Sequence, residues 1–415
     1  MAGVIEYIEV KDVKIPVLFE EEKALPIASL QLVFLSSGSI EDKKIDGLSR
    51  FTSRVLNEGT KTLGSIEFAK RLESRAINLS STSGVETFIF ELSSLKDEFG
   101  FGVQMLKDLL KNPNFTEDVF SKVKIQTLGS ISSKESDFDY VASTKLRELM
   151  FKDTPLGGTS LGTKTSIEKL TLRDIEEFYA LHVNLQNVVV VVGGDINKEE
   201  ALKSAKEILS VLNVGKKNEF KNYNVSTSQD VVTQVKDTEQ AYIYFGSPFY
   251  LHVNDADVYK ARIASFILGE GGFGSRLMEE IRVKKGLAYS AYGRFSFEKS
   301  GSRFSGYLQT KNESRDEALK IVKEVIKDFT QNGVTKEELE QAKRFLLGSE
   351  PLRVETLSQR ISRSFGEFYN GFEQGHSKKE LLKIEKLSLE ELNNFIKSHS
   401  EINELIFSIV TNDAK

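Results

Sequence analysis

The sequence predicts an α+β protein of two similar domains, each a largely antiparallel sheet packed with helices, the two arranged as a clamshell. Three observations carry this. The chain has 415 residues, of which 40% are apolar and 28% charged, enough for two domains that each bury a full core. It repeats itself: Ile167-Glu168-Lys169-Leu170-Thr171-Leu172, running to Phe178, matches Ile384-Glu385-Lys386-Leu387-Ser388-Leu389, running to Phe395, at an offset of 217 residues. Strand-like and helix-like periodicities also mix within each half, without the regular βαβ alternation of a doubly wound sheet.

The elements follow in order. Residues 1–17 alternate polar and apolar side chains as a strand does. Leu30–Leu35 reads as a strand leading into a polar, acidic turn and a helix, and Ala241–Phe245 echoes it in the second half. The helices Phe101–Lys111 and Ala318–Phe329 carry apolar residues at spacings of three and four. Each is followed by a second helical stretch, from Thr116 and from Thr335, the latter with the capping pair Thr335/Glu338. The repeated segments open with a hydroxyl N-cap and an acidic residue three positions on, Asp174 and Glu391. His182 then matches His399, and the apolar run Val188–Val192 matches Leu405–Ile409. The most polar connector is Gly215–Gln229. It divides the chain into domain 1–214, linker 215–229 and domain 230–415.

Composition excludes several functions. A net charge of −5 and no cluster of Lys or Arg with interleaved aromatics argue against nucleic acid. No segment approaches the roughly 20 apolar residues that span a bilayer, and the N-terminus has no secretory signal pattern. The expectation is a soluble chain, cytoplasmic, or periplasmic or secreted if a signal peptide has been removed. With no Cys there are no disulfides, thiolate metal sites or Cys nucleophiles. The four His, at 182, 252, 376 and 399, lie far apart, with no second His at i+3 or i+4 of any of them. Helix-end packing is the expected role of His182 and His399, and no metal is expected in this chain.

The most distinctive stretch is Leu268–Gly293, LGEGGFGSRLMEEIRVKKGLAYSAYG. Gly269, Gly271 and Gly274 match G-x-G-x-x-G, but the preceding ARIASFIL has helical spacing where a dinucleotide fingerprint needs a strand. Nucleotide binding is therefore rejected. The glycines read either as a flexible turn between helices or as a loop that backbone approaches closely. The second helix, Ser275–Lys285, stops at Gly286, and Leu287–Ala291 alternates as a strand.

This stretch resembles the C-terminal half of the pitrilysin or insulinase-like zinc peptidases, which include the mitochondrial processing peptidase and its bacterial relatives. A glycine-rich turn, S-R-L, an acidic helix ending in Arg and G-L-A-Y-S are all present. The resemblance implies that Arg282 and Tyr289 contact the scissile peptide near a zinc held elsewhere. It implies too that Gly269, Gly271, Gly272, Phe273, Gly274 and Asn78 bind substrate. A guanidinium and a phenol can both donate to a developing oxyanion. Taken singly, Arg282 suits a helix C-terminus and Tyr289 a half-buried strand; their spacing inside the motif favours the functional pair.

The first half resembles the same family with its chemistry erased. Where the family has the inverted zinc motif His-x-x-Glu-His, this chain has Arg50-Phe51-Thr52-Ser53-Arg54. Both His positions are Arg and the catalytic Glu is Ser53, and guanidiniums have no lone pair for a cation. The family's third ligand, a Glu, falls near Leu128–Ile131, where no carboxylate stands. Ile77–Thr82 and Thr87–Leu92 resemble the hairpin whose edge pairs with substrate in active members.

The resemblance thus implies a zinc-less subunit of a heterodimeric metalloendopeptidase that binds no cofactor itself. Its expected partner is a homologous subunit with an intact His-x-x-Glu-His motif, which brings the zinc, and peptides are its expected substrates. The alternative is an inactive structural or peptide-binding scaffold of the same fold.

Overall fold

The computed structural model describes residues 4–42 and 45–412. It is an α+β structure with two sheets. The first comprises β1 (Val4–Val10), β2 (Val13–Glu21), β3 (Ile27–Leu35), β4 (Asn78–Ser83), β5 (Thr87–Leu95) and β6 (Val188–Gly194), in the order β1-β2-β6-β3-β5-β4. The second comprises β7 (Val231–Val235), β8 (Gln240–Pro248), β9 (Ala288–Glu298), β10 (Gly301–Lys311) and β11 (Ile406–Thr411), in the order β7-β11-β8-β10-β9. Each sheet is antiparallel apart from one parallel pair, β2 with β6 and β7 with β11. The second sheet is therefore the first without β1, which is the sequence repeat expressed as topology.

Burial explains the strands. β6, Val-Val-Val-Val-Val-Gly-Gly, is buried throughout, as a central strand covered on both faces must be. On one face of the first sheet Phe34, Phe88 and Phe90 pack beneath helices Lys96–Lys111 and Lys198–Leu209. In the second, Phe245, Phe304 and Phe407 pack with helices Val258–Ser265 and Arg315–Asn332.

The two compact units interleave along the chain. One contains residues up to Ser132, Gly158–Phe220 and Arg353–Tyr369; the other contains Ser133–Gly157, Lys221–Leu352 and the residues from Asn370 onward. Helix Leu357–Tyr369 thus covers the free face of the first sheet, where Ile361 packs on Val33, Val189 and Val191. A Cβ on Gly193 would lie 2.5 Å from the Ile361 Cδ1, so glycine makes room for the helix. Helix Phe138–Met150 does the same in the second unit, where a Cβ on Gly246 would lie 2.5 Å from the Met150 Sδ. Its Asp139 accepts hydrogen bonds from Tyr244 Oη (2.9 Å) and Gln309 Nε2 (2.8 Å).

The repeated helix starts are full capping boxes, Thr171 with Asp174 and Ser388 with Glu391. At the far ends His182 packs at a tilt on Phe178 and His399 on Phe395, each with ring centres 4.5 Å apart. The imidazoles are held by Asn218 (3.0 Å) and Glu401 (2.7 Å) respectively. Among the described residues no helix is long and apolar enough to cross a membrane.

Candidate functional site

In the second unit the glycine-rich turn joins two helices that both loosen into π-helical turns, Phe266–Glu270 and Glu279–Lys284. Such turns widen a helix by one residue and recur at functional sites. The helix before the turn agrees with the rejection of a dinucleotide site. Gly269 lies against β9: a Cβ there would sit 2.6 Å from the Gly293 amide nitrogen. This close approach is by the chain's own β9, not by a bound peptide. Gly272 and Gly274 have φ of +62° and +93°, so the turn itself needs glycine. Ser265 Oγ donates to Glu270 (2.7 Å) and accepts from the Phe295 amide (3.1 Å), tying the turn to β9.

The second helix is anchored by Arg276. Its guanidinium donates to Glu338 (2.6 and 2.8 Å), Asp328 (3.0 Å) and the Gly333 carbonyl (2.7 Å). Burial pushes the Glu338 carboxyl up, but Arg276 outweighs it and holds the group below the usual range. The sequence reading gave this arginine no role beyond the motif; it is the bracket that fixes the helix carrying Arg282.

Arg282 lies over two aromatic rings. Its guanidinium carbon lies 4.6 Å from the ring centre of Phe273 and 4.5 Å from that of Tyr289. Tyr289 is 83% exposed and Phe273 67%, so the half-buried reading of Tyr289 does not hold. Lys284 and Lys285 on the same turn are paired with Glu280 and Glu317. Arg282 has no carboxylate partner among the described residues. A guanidinium attracted to aromatic faces keeps N–H donors that can reach another group. The structure therefore brings Phe273, Arg282 and Tyr289 together.

In the first unit, Arg50, Ser53 and Arg54 lie on helix Leu48–Leu56. Asp42 caps the helix, accepting from the amides of Gly47 (3.0 Å) and Ser49 (2.8 Å). Burial raises its carboxyl to about 7 despite those donors. Arg54 donates to Thr127 Oγ1 (2.8 Å), beside the stretch where the resemblance puts the third ligand. Burial and then the Arg50 charge pull the Arg54 pKa down. Ser53 Oγ is turned back to the Arg50 carbonyl (2.9 Å). Arg50 itself is exposed.

Asn57, one residue past the helix in the trailing Asn57-Glu58-Gly59-Thr60, carries a role that the sequence does not reveal. Its Nδ2 donates to the Ser81 carbonyl (3.0 Å) and its Oδ1 accepts from the Ser81 amide (2.7 Å). The main-chain groups of Ser81 thus point away from β5, on the outer edge of β4, and a side chain fills them. Asn78 opens β4 and is exposed.

Two family models cover most of the chain: "Insulinase (Peptidase family M16)" matches residues 17–164 and "Peptidase M16 inactive domain" matches residues 169–346. A relative named "Non-peptidase homolog YmxG", from Helicobacter pylori, is 43% identical over 100% of this chain and 96% of its own length. The chain belongs to peptidase family M16. An M16 relative from Rickettsia bellii, named "Uncharacterized zinc protease", is 25% identical over 86% of this chain and 85% of its own.

The M16 fold is seen in solved structures. An M16 inactive domain from Pseudomonas fluorescens superposes with a TM-score of 0.90 at 23% identity, covering 99% of this chain and 98% of that one. A protease from Helicobacter pylori superposes with a TM-score of 0.84 at 16% identity, covering 99% and 100%.

The zinc of active M16 members does not fit the residues present. Two guanidiniums and a hydroxyl stand on the motif helix, and Arg54 turns its donors toward Thr127. Among the described residues no three His, Asp or Glu side chains group to hold a metal.

Proposed function

We propose that this chain is a zinc-less M16 subunit that binds extended peptide and supplies Arg282 and Tyr289 to the active site of a homologous zinc-bearing partner. The observation that carries this is Arg282: a guanidinium lying over two exposed rings and without a carboxylate partner among the described residues. Peptide hydrolysis builds negative charge on the scissile carbonyl oxygen, and preorganised N–H and O–H donors stabilise it. A homologous partner's His-x-x-Glu-His motif would hold the zinc and supply the activation of water, which this chain's own residues do not provide. Peptide main chain can pair with an open strand edge, and β4 offers only its start at Asn78 for this, since Asn57 takes the outward groups of Ser81.

The test is to purify this chain and the homologous zinc-bearing subunit, then measure zinc content and peptide cleavage for each alone and for the mixture. Cleavage by the mixture only is the expected result. Stoichiometric zinc and cleavage by this chain alone overturn the reading.

A second reading is an inactive peptide-binding scaffold. The name of the 43% identical relative, a non-peptidase homolog, favours it. Peptide binding without cleavage in any such mixture selects it.

A further inference from the structure

The two sheets share one plan, with a single difference at one edge. In the first sheet the outer side of β2 is covered by β1, paired antiparallel from Val4↔Phe19 to Val10↔Val13. The corresponding strand of the second sheet, β7, is the last in its order and has no such neighbour.

Its main chain can be oriented. The Phe407 amide donates to the Asp230 carbonyl and the Lys236 amide to the Thr411 carbonyl, so Asp230 and Lys236 face β11. Alternation then turns the N–H and C=O groups of Val231, Thr233 and Val235 outward. Those three side chains are exposed as well, Val231 by 52% and Val235 by 55%. Open edges are normally guarded by a bulge, a proline or an inward charge. β7 has none of these, and its register with β11 runs without a shift.

We propose that the outer edge of β7 pairs with β7 of a second copy of this chain, antiparallel about a two-fold axis through Thr233. The segment Asp230-Val231-Val232-Thr233-Gln234-Val235-Lys236 is self-complementary in that register. Thr233 meets Thr233, and Val231 meets Val235 of the second copy at both ends. At each of these pairs the outward N–H and C=O groups exchange hydrogen bonds. The exposed β-branched side chains become cross-strand neighbours. One step further out, Asp230 faces Lys236 of the second copy, twice by symmetry. Both are exposed and have no ion-pair partner among the described residues. The second copy thus takes the place that β1 holds in the first sheet. The contact is short, so the dimer is expected to be a weak, concentration-dependent one. The proposal is independent of the peptidase reading.

The test is sedimentation velocity on the full chain over about 1 to 100 μM. The wild type should shift from monomer to dimer across that range. Asp230→Lys sets like charges opposite each other twice and should raise the dissociation constant about tenfold. The reciprocal pair Asp230→Lys/Lys236→Asp should bring it back to within about threefold of wild type. Thr233→Pro removes only an outward N–H and should leave the monomer folded but unable to pair. A wild type that stays monomeric at about 100 μM overturns the proposal. So does a reciprocal pair that fails to restore what the single charge reversal removed. If these variants instead weaken only the complex with a zinc-bearing homologue, the edge belongs to that partner and the second copy is excluded.

Discussion

The edge strands β4 and β9 stand at the same place in their sheets, and each is flanked by the helical segment that carries a family motif. They treat their polar groups in opposite ways. Beside β4 the donors and acceptors are used internally: Asn57 fills Ser81, Ser81 Oγ donates to the Ser53 carbonyl (2.8 Å), and Arg54 is tied to Thr127. Beside β9 the anchoring is done by Arg276 and Ser265, and Arg282 is left with only aromatic faces. One motif is tied into the structure, while the arginine of the other has no carboxylate partner among the described residues.

The comparison breaks first at Arg282. On the proposed function, Arg282→Ala should lower peptide turnover by a complex with a zinc-bearing homologue by about 10²–10³, the usual effect of losing an oxyanion donor. Its thermal unfolding should be unchanged, because the side chain is held only by ring contacts. Arg50→Ala, on the exposed side of the other motif, should leave turnover within about twofold. Wild-type turnover in the Arg282 variant removes the functional half of the comparison.

Gly269→Ala sharpens it next. The added methyl falls 2.6 Å from the Gly293 amide nitrogen, and that neighbour is main chain, so it cannot rotate away. A loss of about 2–3 kcal/mol in chemical denaturation is expected from this overpacking. It should be accompanied by a drop in turnover, since the same contact seats the turn before Phe273.

Much of this was legible in the sequence because it is local. The capping boxes at Thr171 and Ser388, the β4–β5 hairpin and the helix before Gly269 each follow from residues within a few positions of one another. The destination of helices Phe138–Met150 and Leu357–Tyr369 was not legible. Amphipathic spacing says that a face is buried but not against which sheet, and the small residues receiving them, Gly246 and Gly193, are distant in sequence. The π-helical turns escaped because five or six residues are too few to separate their period from that of an α-helix. At the site, the spacing of Arg282 and Tyr289 was read. The packing of Phe273, the bracket of Arg276 and the plug of Asn57 were not, since each depends on residues meeting across a turn or a strand.

Asp42 gives the comparison a pH signature confined to the first unit. Its carboxyl is raised from 3.8 to about 7 in the fold, so between those values the folded chain holds a proton that the unfolded chain has released. Stability therefore falls as pH rises through this window, at up to about 1.4 kcal/mol per pH unit. Urea denaturation at pH 5 and pH 7 should show the wild type losing roughly 2 kcal/mol more over that interval than Asp42→Asn, which has no proton to bind. The Asn variant keeps an acceptor for one of the two amides, so its absolute stability can differ while the slope still reports the group. Equal slopes would mean that the cap is ionised throughout and that its two amide donors outweigh burial.

The smallest effect is expected where the erased motif meets its neighbour. Thr127 is buried and accepts from Arg54, so Thr127→Val keeps the shape and removes the acceptor. Arg54 is only partly buried and can turn its guanidinium toward water, so the loss should be about 0.5–1 kcal/mol in denaturant unfolding. The change leaves Arg282 and its two rings untouched, and turnover of the complex should not move. A loss above about 3 kcal/mol would instead mark Arg54 as a charge trapped without water, for which a missing partner carries the full desolvation cost. In that case the arginine at the family's ligand position holds the first unit together, and returning a histidine there would unfold the protein before it could bind a metal.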